Sequence, residues 1–272
     1  MSTQPARLVT VHKRGEEKEG TVVAFTEARR PDGARGYCIA VVSGKRLMRL
    51  AALHGSASPF WANNQADGLA IGSRVEYSER GSSAAGEYPH KNEDLWCGSI
   101  VSLGEHMPIY PMLEPLATRS LQSVWPTEVM IDGARTPRVR AGSNVPSLIV
   151  LRGTIRSFEA DAGQTKAGRA SLRLGQEPAE ELVDVRVVCP AIRATLVGSS
   201  ELLNAERLLI LGLARANKRY AEKTGEVEAC EILLIGWAGK ETVTGKRSTR
   251  EPQLVDKDEQ ERRRQRAIRF GL

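Results

Sequence analysis

The chain has 272 residues, 41% apolar and 26% charged, which is enough for one large domain or two ordinary ones and too apolar for disorder by composition. Its formal charge of +6 is uneven: residues 239–272 hold 10 Lys and Arg against 6 Asp and Glu, and the other 238 residues hold 29 against 27, which excludes a uniformly basic surface. No run of 18 apolar residues exists, MSTQPARLVTVHKRGEEKEG lacks the apolar stretch of a signal peptide, and Cys38, Cys97, Cys189 and Cys230 form no CxxC pair, so a reduced, soluble, cytoplasmic protein with no membrane contact is expected.

Two clusters of short strands are predicted. In the first, 8–104, GTVVAF (20–25) is β-branched and apolar, and EARRPDGARG (27–36) is a basic, turn-rich loop. GYCIAVV (36–42) and KRLMRLAAL (45–53) join as a hairpin at Ser43-Gly44. SPFWANNQA (58–66) reads as a short helix capped by Ser58, with Pro59 in its first position. SRVEYSE (73–79) alternates as a half-buried strand, ERGSSAAGEYPHK (79–91) is loop, and DLWCGSIVSL (94–103) is the last strand.

The second cluster, 148–238, begins with SLIVLRGTIRSF (147–158), a long strand, and the turn ADAGQTKAG (160–168). RASLRLG (169–175) puts Ala170, Leu172 and Leu174 on one face and Arg169, Ser171 and Arg173 on the other. LVDVRVVC (182–189) points Val183, Val185, Val187 and Cys189 inward. PAIRATLVGSSELLN (190–204) is a helix opened by Pro190, ERLLILGLAR (206–215) a buried strand, ANKRYAEKTGE (216–226) a polar loop and VEACEILLIGW (227–237) the closing strand.

Three strands, a short helix and two strands is the order of an OB-fold, a five-stranded Greek-key barrel with its helix between strands three and four. The fold class expected is therefore mainly β, with two OB-like barrels in tandem. Gly153 and Gly212, inside strand patterns, mark sharp bends or bulges. Between the clusters, 105–147 carries Pro108, Pro111, Pro115, Pro126, Pro137 and Pro146, which forbid long helices and central strands. Its Tyr110, Leu113, Leu121 and Trp125 are too apolar for a free linker, so it is expected to pack across both barrels. The tail, 239–272, is polar and basic, either helical over Asp256–Arg269 or frayed.

OB-folds bind on the face of strands two and three and with the loops joining strands one–two and four–five. In the second barrel that places Arg152, Arg156 and Phe158 on strand one, Arg169 and Arg173 on strand two, Arg186 on strand three, and Lys218, Arg219 and Tyr220 in the last loop. The first barrel supplies Arg29, Arg30, Arg35, Arg80, Tyr88, His90 and Lys91 in its two loops, and Lys45, Arg46 and Arg49 on its third strand. Guanidinium groups neutralise phosphates and aromatic rings stack bases, a pairing that suits single strands. The competing reading is that alternating Arg only keeps a half-exposed sheet soluble while Phe158 caps the core.

No catalytic constellation emerges. His12, His54, His90 and His106 lack HExxH spacing, GQTKAGR (163–169) lacks the Lys-Ser/Thr of a phosphate loop, and no GxSxG occurs. In PHKNED (89–94), His90, Glu93 and Asp94 suit either a metal or, more simply, a capped loop entering a strand. The cysteines read as small core residues. A non-enzyme without cofactor or metal is expected.

ARGYCIAVVSGKRLMRLAAL (34–53), with Gly36, Cys38 and Arg49 at matching positions, resembles the opening of the prokaryotic dual-OB-containing domain. IGSRVEYSERGSSAAGEYPHKNEDLWC (71–97) is similar to that family's next strand, loop and Pro…Glu-Asp segment, and VPSLIVLRG (145–153) to the start of its second barrel. The Trp usual in its second hairpin strand is missing here. The resemblance implies two packed OB barrels and a nucleic-acid-sensing role in bacterial defence or mobile-element systems, and no catalytic residues. Two functions are carried forward: a module binding single-stranded DNA or RNA within a larger complex, and a protein–protein adaptor.

Overall fold

In the computed structural model, β1 (Glu16–Arg29) turns back into β2 (Arg35–Ser43), which passes through a two-residue turn into β3 (Arg46–Ala52). The structure describes residues 16–29, 34–52, 60–66, 68–82, 89–90, 93–128, 130, 136–160, 168–175, 179–198, 200–216, 221 and 227–240. Gly44 opens that turn at φ 59°, where a side chain would be strained. A two-residue strand β4 (Trp61–Ala62) and a single turn α1 (Asn63–Ala66) precede β5 (Ser73–Ser82) and β6 (Asp94–His106). Of the helix expected over 58–66, Ser58 and Pro59 lie outside the described residues, Trp61 and Ala62 pair with Tyr37 and Gly36 instead, and Asn63–Ala66 is helical. The loop expected over 27–36 is shorter, since Arg29 still pairs with Arg35.

The pairing closes the first barrel in the order β1-β2-β3-β6-β5-β1, with β3 and β6 parallel and the rest antiparallel. That single parallel pair is where a five-stranded Greek key closes. Inside lie Ile39, Val41, Leu50, Val75, Tyr77 and Trp61, whose indole nitrogen donates to the Leu50 carbonyl at 2.8 Å.

Among the described residues, the segment after β6 contributes short pieces: α2 (Tyr110–Leu113), a 3-10 turn (Glu114–Leu116), β7 (Ala117–Thr118) and β8 (Arg138–Arg140). The second barrel follows with β9 (Leu148–Glu159), β10 (Gly168–Leu174), β11 (Glu180–Val187), α3 (Pro190–Gly198), β12 (Arg207–Leu213) and β13 (Ala229–Ala238). It closes as β9-β10-β11-β13-β12-β9, with β11 and β13 parallel. Helix α3 sits between strands three and four, and Ile192 and Leu196, one turn apart, enter the barrel core. Gly153 is the corner: residues up to it pair with β12, and residues from it onward pair with β10. A Cβ there would lie 2.6 Å from the Arg173 carbonyl oxygen. Trp125 and Leu121, from the Pro-rich segment, complete this core, and the Trp125 indole donates to Pro146 O at 2.8 Å.

Two bulges correct the sequence reading. Between Ala170/Val185 and Leu172/Leu182, β11 holds an extra residue, and Asp184 takes φ 58°. The alternation therefore slips, and Val183, expected inward, is 59% exposed, while Leu182, Val185 and Val187 are buried. In β9, Ser157 pairs with Ser171 and Ile155 with Leu172, so Arg156 is the extra residue and Phe158 changes face. Replacing Val183 by Thr is expected to shift unfolding free energy by less than about 0.5 kcal/mol. Replacing Val185 by Thr should cost about 1–3 kcal/mol through a buried hydroxyl, a contrast that urea unfolding resolves.

Both barrels belong to one compact unit. Their contact is a third apolar cluster: Val23, Ala24, Ala40 and Val42 of β1–β2 meet Leu148, Val150, Leu208, Ile210 and Ile235 of β9, β12 and β13, with Ile109, Tyr110 and Leu113 wedged in. Gly236 permits this approach, since a Cβ there would meet the Val23 carbonyl oxygen at 2.9 Å. The predicted tail helix over Asp256–Arg269 lies outside the described residues.

Candidate nucleic-acid interface

The outer face of β10–β11 is the part of the second barrel where alternation leaves one side to solvent. Arg169 and Arg186 are direct cross-strand partners on that face. Like charges placed opposite one another repel, and each is accompanied by an acid. Arg169 Nη1 lies 3.1 Å from Asp184 Oδ2 and donates to the Asp184 carbonyl at 3.0 Å. Arg186 Nη1 donates to Glu231 Oε2 of β13 at 2.8 Å. Both side chains stay about two-fifths exposed, at 39% and 40%. A guanidinium has five N–H donors, so one carboxylate does not exhaust it. Arg173 lies on the same strand face, half-buried, its backbone opposite Thr154 and Glu181, and Arg156 projects from its bulge, exposed.

Other expected members are placed elsewhere. Arg152 donates to Tyr110 Oη at 3.1 Å and to Glu114 Oε1 at 2.7 Å, so it fastens the Pro-rich segment to β9. Its hydrogen bond holds the Glu114 carboxyl below the usual carboxylate range. Phe158, carried across by the Arg156 bulge, packs on the barrel core, and its ring covers Gly168, where a Cβ would come within 2.4 Å of it. It is a core cap, not an open stacking surface. Lys218, Arg219, Tyr220, Arg30, Tyr88 and Lys91 lie outside the described residues.

The first barrel does not gather its basic residues. Arg29 and Arg35 pair at one end of the β1–β2 hairpin, whereas Lys45 and Arg46 are exposed at the opposite end of β2. Arg80 is exposed on β5 and lies across Gly98 of β6. Arg49, expected on a binding surface, is only 9% exposed and donates to Asp94 Oδ1 at 2.8 Å. The physical reason is that the outer face of β1–β2, beside Arg49 on β3, turns toward the second barrel. Continuous apolar runs signal burial on both faces, and TVVAF, CIAVV and LLILGL carry that signal.

What sequence reasoning placed in a loop is a clamp between the barrels. Asp94, 3% exposed, also accepts from Arg215, just beyond β12. His90 Nε2 donates to the Leu213 carbonyl at 3.0 Å, and Glu93 Oε2 accepts from Ser147 Oγ at 3.1 Å. Glu93 also closes the loop, its amide donating to His90 O and its carbonyl accepting from Arg49 N. Burial, reinforced by Arg49 and Arg215, lowers the His90 pKa to about 4, and burial raises that of Glu93. A neutral imidazole bound to a carbonyl is a structural role. No group of His, Cys, Asp and Glu suited to a metal occurs among the described residues. All four cysteines are free, and burial pushes the Cys97 thiol up to about 12 and that of Cys230 to about 11, which suits packing rather than reactivity. No helix among the described residues is long and apolar enough to cross a membrane.

No family model matches the chain, and no curated protein matches it. Among solved structures, the chain is similar to the p204 HINb domain, at 10% identity over 82% of this chain and 98% of that one, with a TM-score of 0.34. It is also similar to a murine DNA-binding protein bound with double-stranded DNA, at 9% identity over 82% and 97%, with a TM-score of 0.32. A third is a Replication Protein A heterotrimer bound to single-stranded DNA, at 9% identity over 89% and 53%, with a TM-score of 0.38. At these scores the likeness is one of general architecture, and the binding named for those proteins stays theirs.

Proposed function

We propose that this chain is a non-enzymatic tandem-OB module that binds single-stranded nucleic acid on the outer face of β10–β11. The observation that carries this is the side-by-side placement of Arg169 and Arg186, both two-fifths exposed, with Arg156 and Arg173 on neighbouring positions. Asp184 and Glu231 keep the pair tolerable in the free protein, and phosphates would take their place as counter-ions. Because each arginine already has an acid, affinity rests on contacts made along several nucleotides rather than on one strong site. The motif resemblance of 34–53, 71–97 and 145–153 supports placing such a module as an accessory subunit in bacterial defence, mobile-element or DNA-processing machinery.

The test is fluorescence anisotropy with labelled 20-mers of DNA and RNA across a salt series. Saturable binding that weakens as salt rises is expected, the logarithm of affinity falling by about 0.7 per phosphate contact for each logarithmic unit of salt. Absence of binding at low salt ends the reading.

A protein-adaptor reading has one observation of its own. Val101 and Leu103, on the outer stretch of β6, are 54% and 38% exposed, and beyond Cys97 that strand pairs only with β5 among the described residues. A stoichiometric protein that co-purifies after nuclease treatment favours it.

A further inference from the structure

A cavity of about 240 Å³ lies between the two barrels, adjoining the arginine pair. Short side chains line it, among them Ala28 of β1 and Ala40 of β2, and Gly212 of β12 lets Ile235 pack close, since a Cβ there would lie 3.0 Å from Ile235 Cδ1. Leu233 and Ile235 of β13 supply an apolar wall, and Phe60 an aromatic one. Two guanidinium groups border it, Arg186 and Arg215, with side chains 40% and 44% exposed. Glu27 also lines it, but its carboxylate lies 3.7 Å from Arg193 of α3. At the base, Arg49 is tied to Asp94, and His90 to a carbonyl.

An apolar slot with planar, bidentate cations beside it fits a ligand with a flat body and a phosphate. Continuity supplies the second argument. Arg186 is the cross-strand partner of Arg169 on one side and of Leu233, a wall residue, on the other. The guanidinium groups of Arg169 and Arg186 therefore lead from the exposed sheet face to this opening. We infer that the inter-barrel cavity takes one nucleoside monophosphate unit, its base between Phe60 and the β13 side chains and its phosphate on Arg186 and Arg215. This deepens the nucleic-acid reading and rests on it for the source of the unit, either a free nucleotide or one nucleotide of a bound strand.

The experiment titrates the full chain with 5′-AMP and 5′-CMP, and separately with adenosine and inorganic phosphate, by calorimetry and NMR. A saturable 5′-monophosphate with a dissociation constant of about 1 mM or tighter is expected, with adenosine and phosphate each at least about tenfold weaker. Ala28→Phe, which fills the slot from a half-buried position, should abolish nucleotide binding, and Arg186→Ala should weaken it about tenfold. Thermal melting identifies a variant that fails to fold, in which case Ala214→Phe, a lining residue just beyond β12, replaces Ala28→Phe. No nucleotide binding by the unaltered protein, phosphate binding as tightly as 5′-AMP, or a filled slot that leaves binding intact overturns the inference. Oligonucleotide binding without mononucleotide binding overturns the cavity site alone. Mononucleotide binding without oligonucleotide binding supports the cavity as a free-nucleotide site and overturns the strand reading.

Discussion

Replacing Asp94 by Ala is expected to destabilise the protein by about 3–5 kcal/mol, the cost of leaving a buried charge without its partner. Asp94 is 3% exposed and accepts from two arginines, Arg49 of the first barrel and Arg215 of the second. Arg49 is itself buried, and a guanidinium does not give up its proton in a protein, so it stays charged when the carboxylate is lost. Asp94→Asn keeps the shape and should cost nearly as much, because the charge, not the volume, is what Arg49 needs. Arg215→Ala is the control. Its side chain is 44% exposed, and its loss should cost no more than about 1 kcal/mol. Urea unfolding of the three variants checks the order, and an Asp94→Ala effect within 1 kcal/mol would remove the clamp from any part in stability.

Acidification is expected to weaken the fold between pH 6.5 and about 4 through His90. The unfolded chain takes up a proton near 6.5, whereas the folded protein, with His90 buried against Arg49 and Arg215, resists protonation down to about 4. A lowered folded-state pKa means that the stability is fully present above 6.5 and is lost as pH falls toward 4. Below that, both forms are protonated and the loss stops. The full loss is about 3 kcal/mol. Glu93 acts in the opposite direction, since its raised pKa lets the folded protein take a proton first. Comparison with a variant that lacks only the His90 titration therefore isolates His90, since Glu93 is common to both proteins. His90→Gln keeps a donor for the Leu213 carbonyl and removes the titration. On going from pH 7.5 to 5.5 the unaltered protein should lose more stability than that variant, and equal changes in the two would remove His90 from the pH dependence.

The barrel order was legible because a helix between the third and fourth strands has few other homes in an all-β chain. Alternation also placed Ala170, Leu172 and Leu174 correctly, all at most 2% exposed. It failed at Val183 and Phe158, and for one reason: a bulge adds a residue, and period-two counting has no mark for it. Asp184, at φ 58°, is the sort of residue that tolerates such a position, but an Asp in a strand is too common to reveal it. The apposition of the barrels left a trace, since Val23 and Ala24, or Val41 and Val42, are apolar on both parities. What they meet was not legible, because packing β1 against β13 depends on the closed fold. Arg49 and Asp94 are 45 residues apart, and nothing in either local pattern announces the other. Cationic residues alone could not be sorted into surface and interior before their acids were located.

The most direct measurement is the salt dependence of single-strand binding by Arg169→Ala/Arg186→Ala beside the unaltered protein. With two phosphate contacts removed, the slope of log affinity against log salt should become shallower by about 1.4, with melting temperature little changed. An identical slope and affinity in the variant would place binding elsewhere on the molecule and contradict the β10–β11 interface.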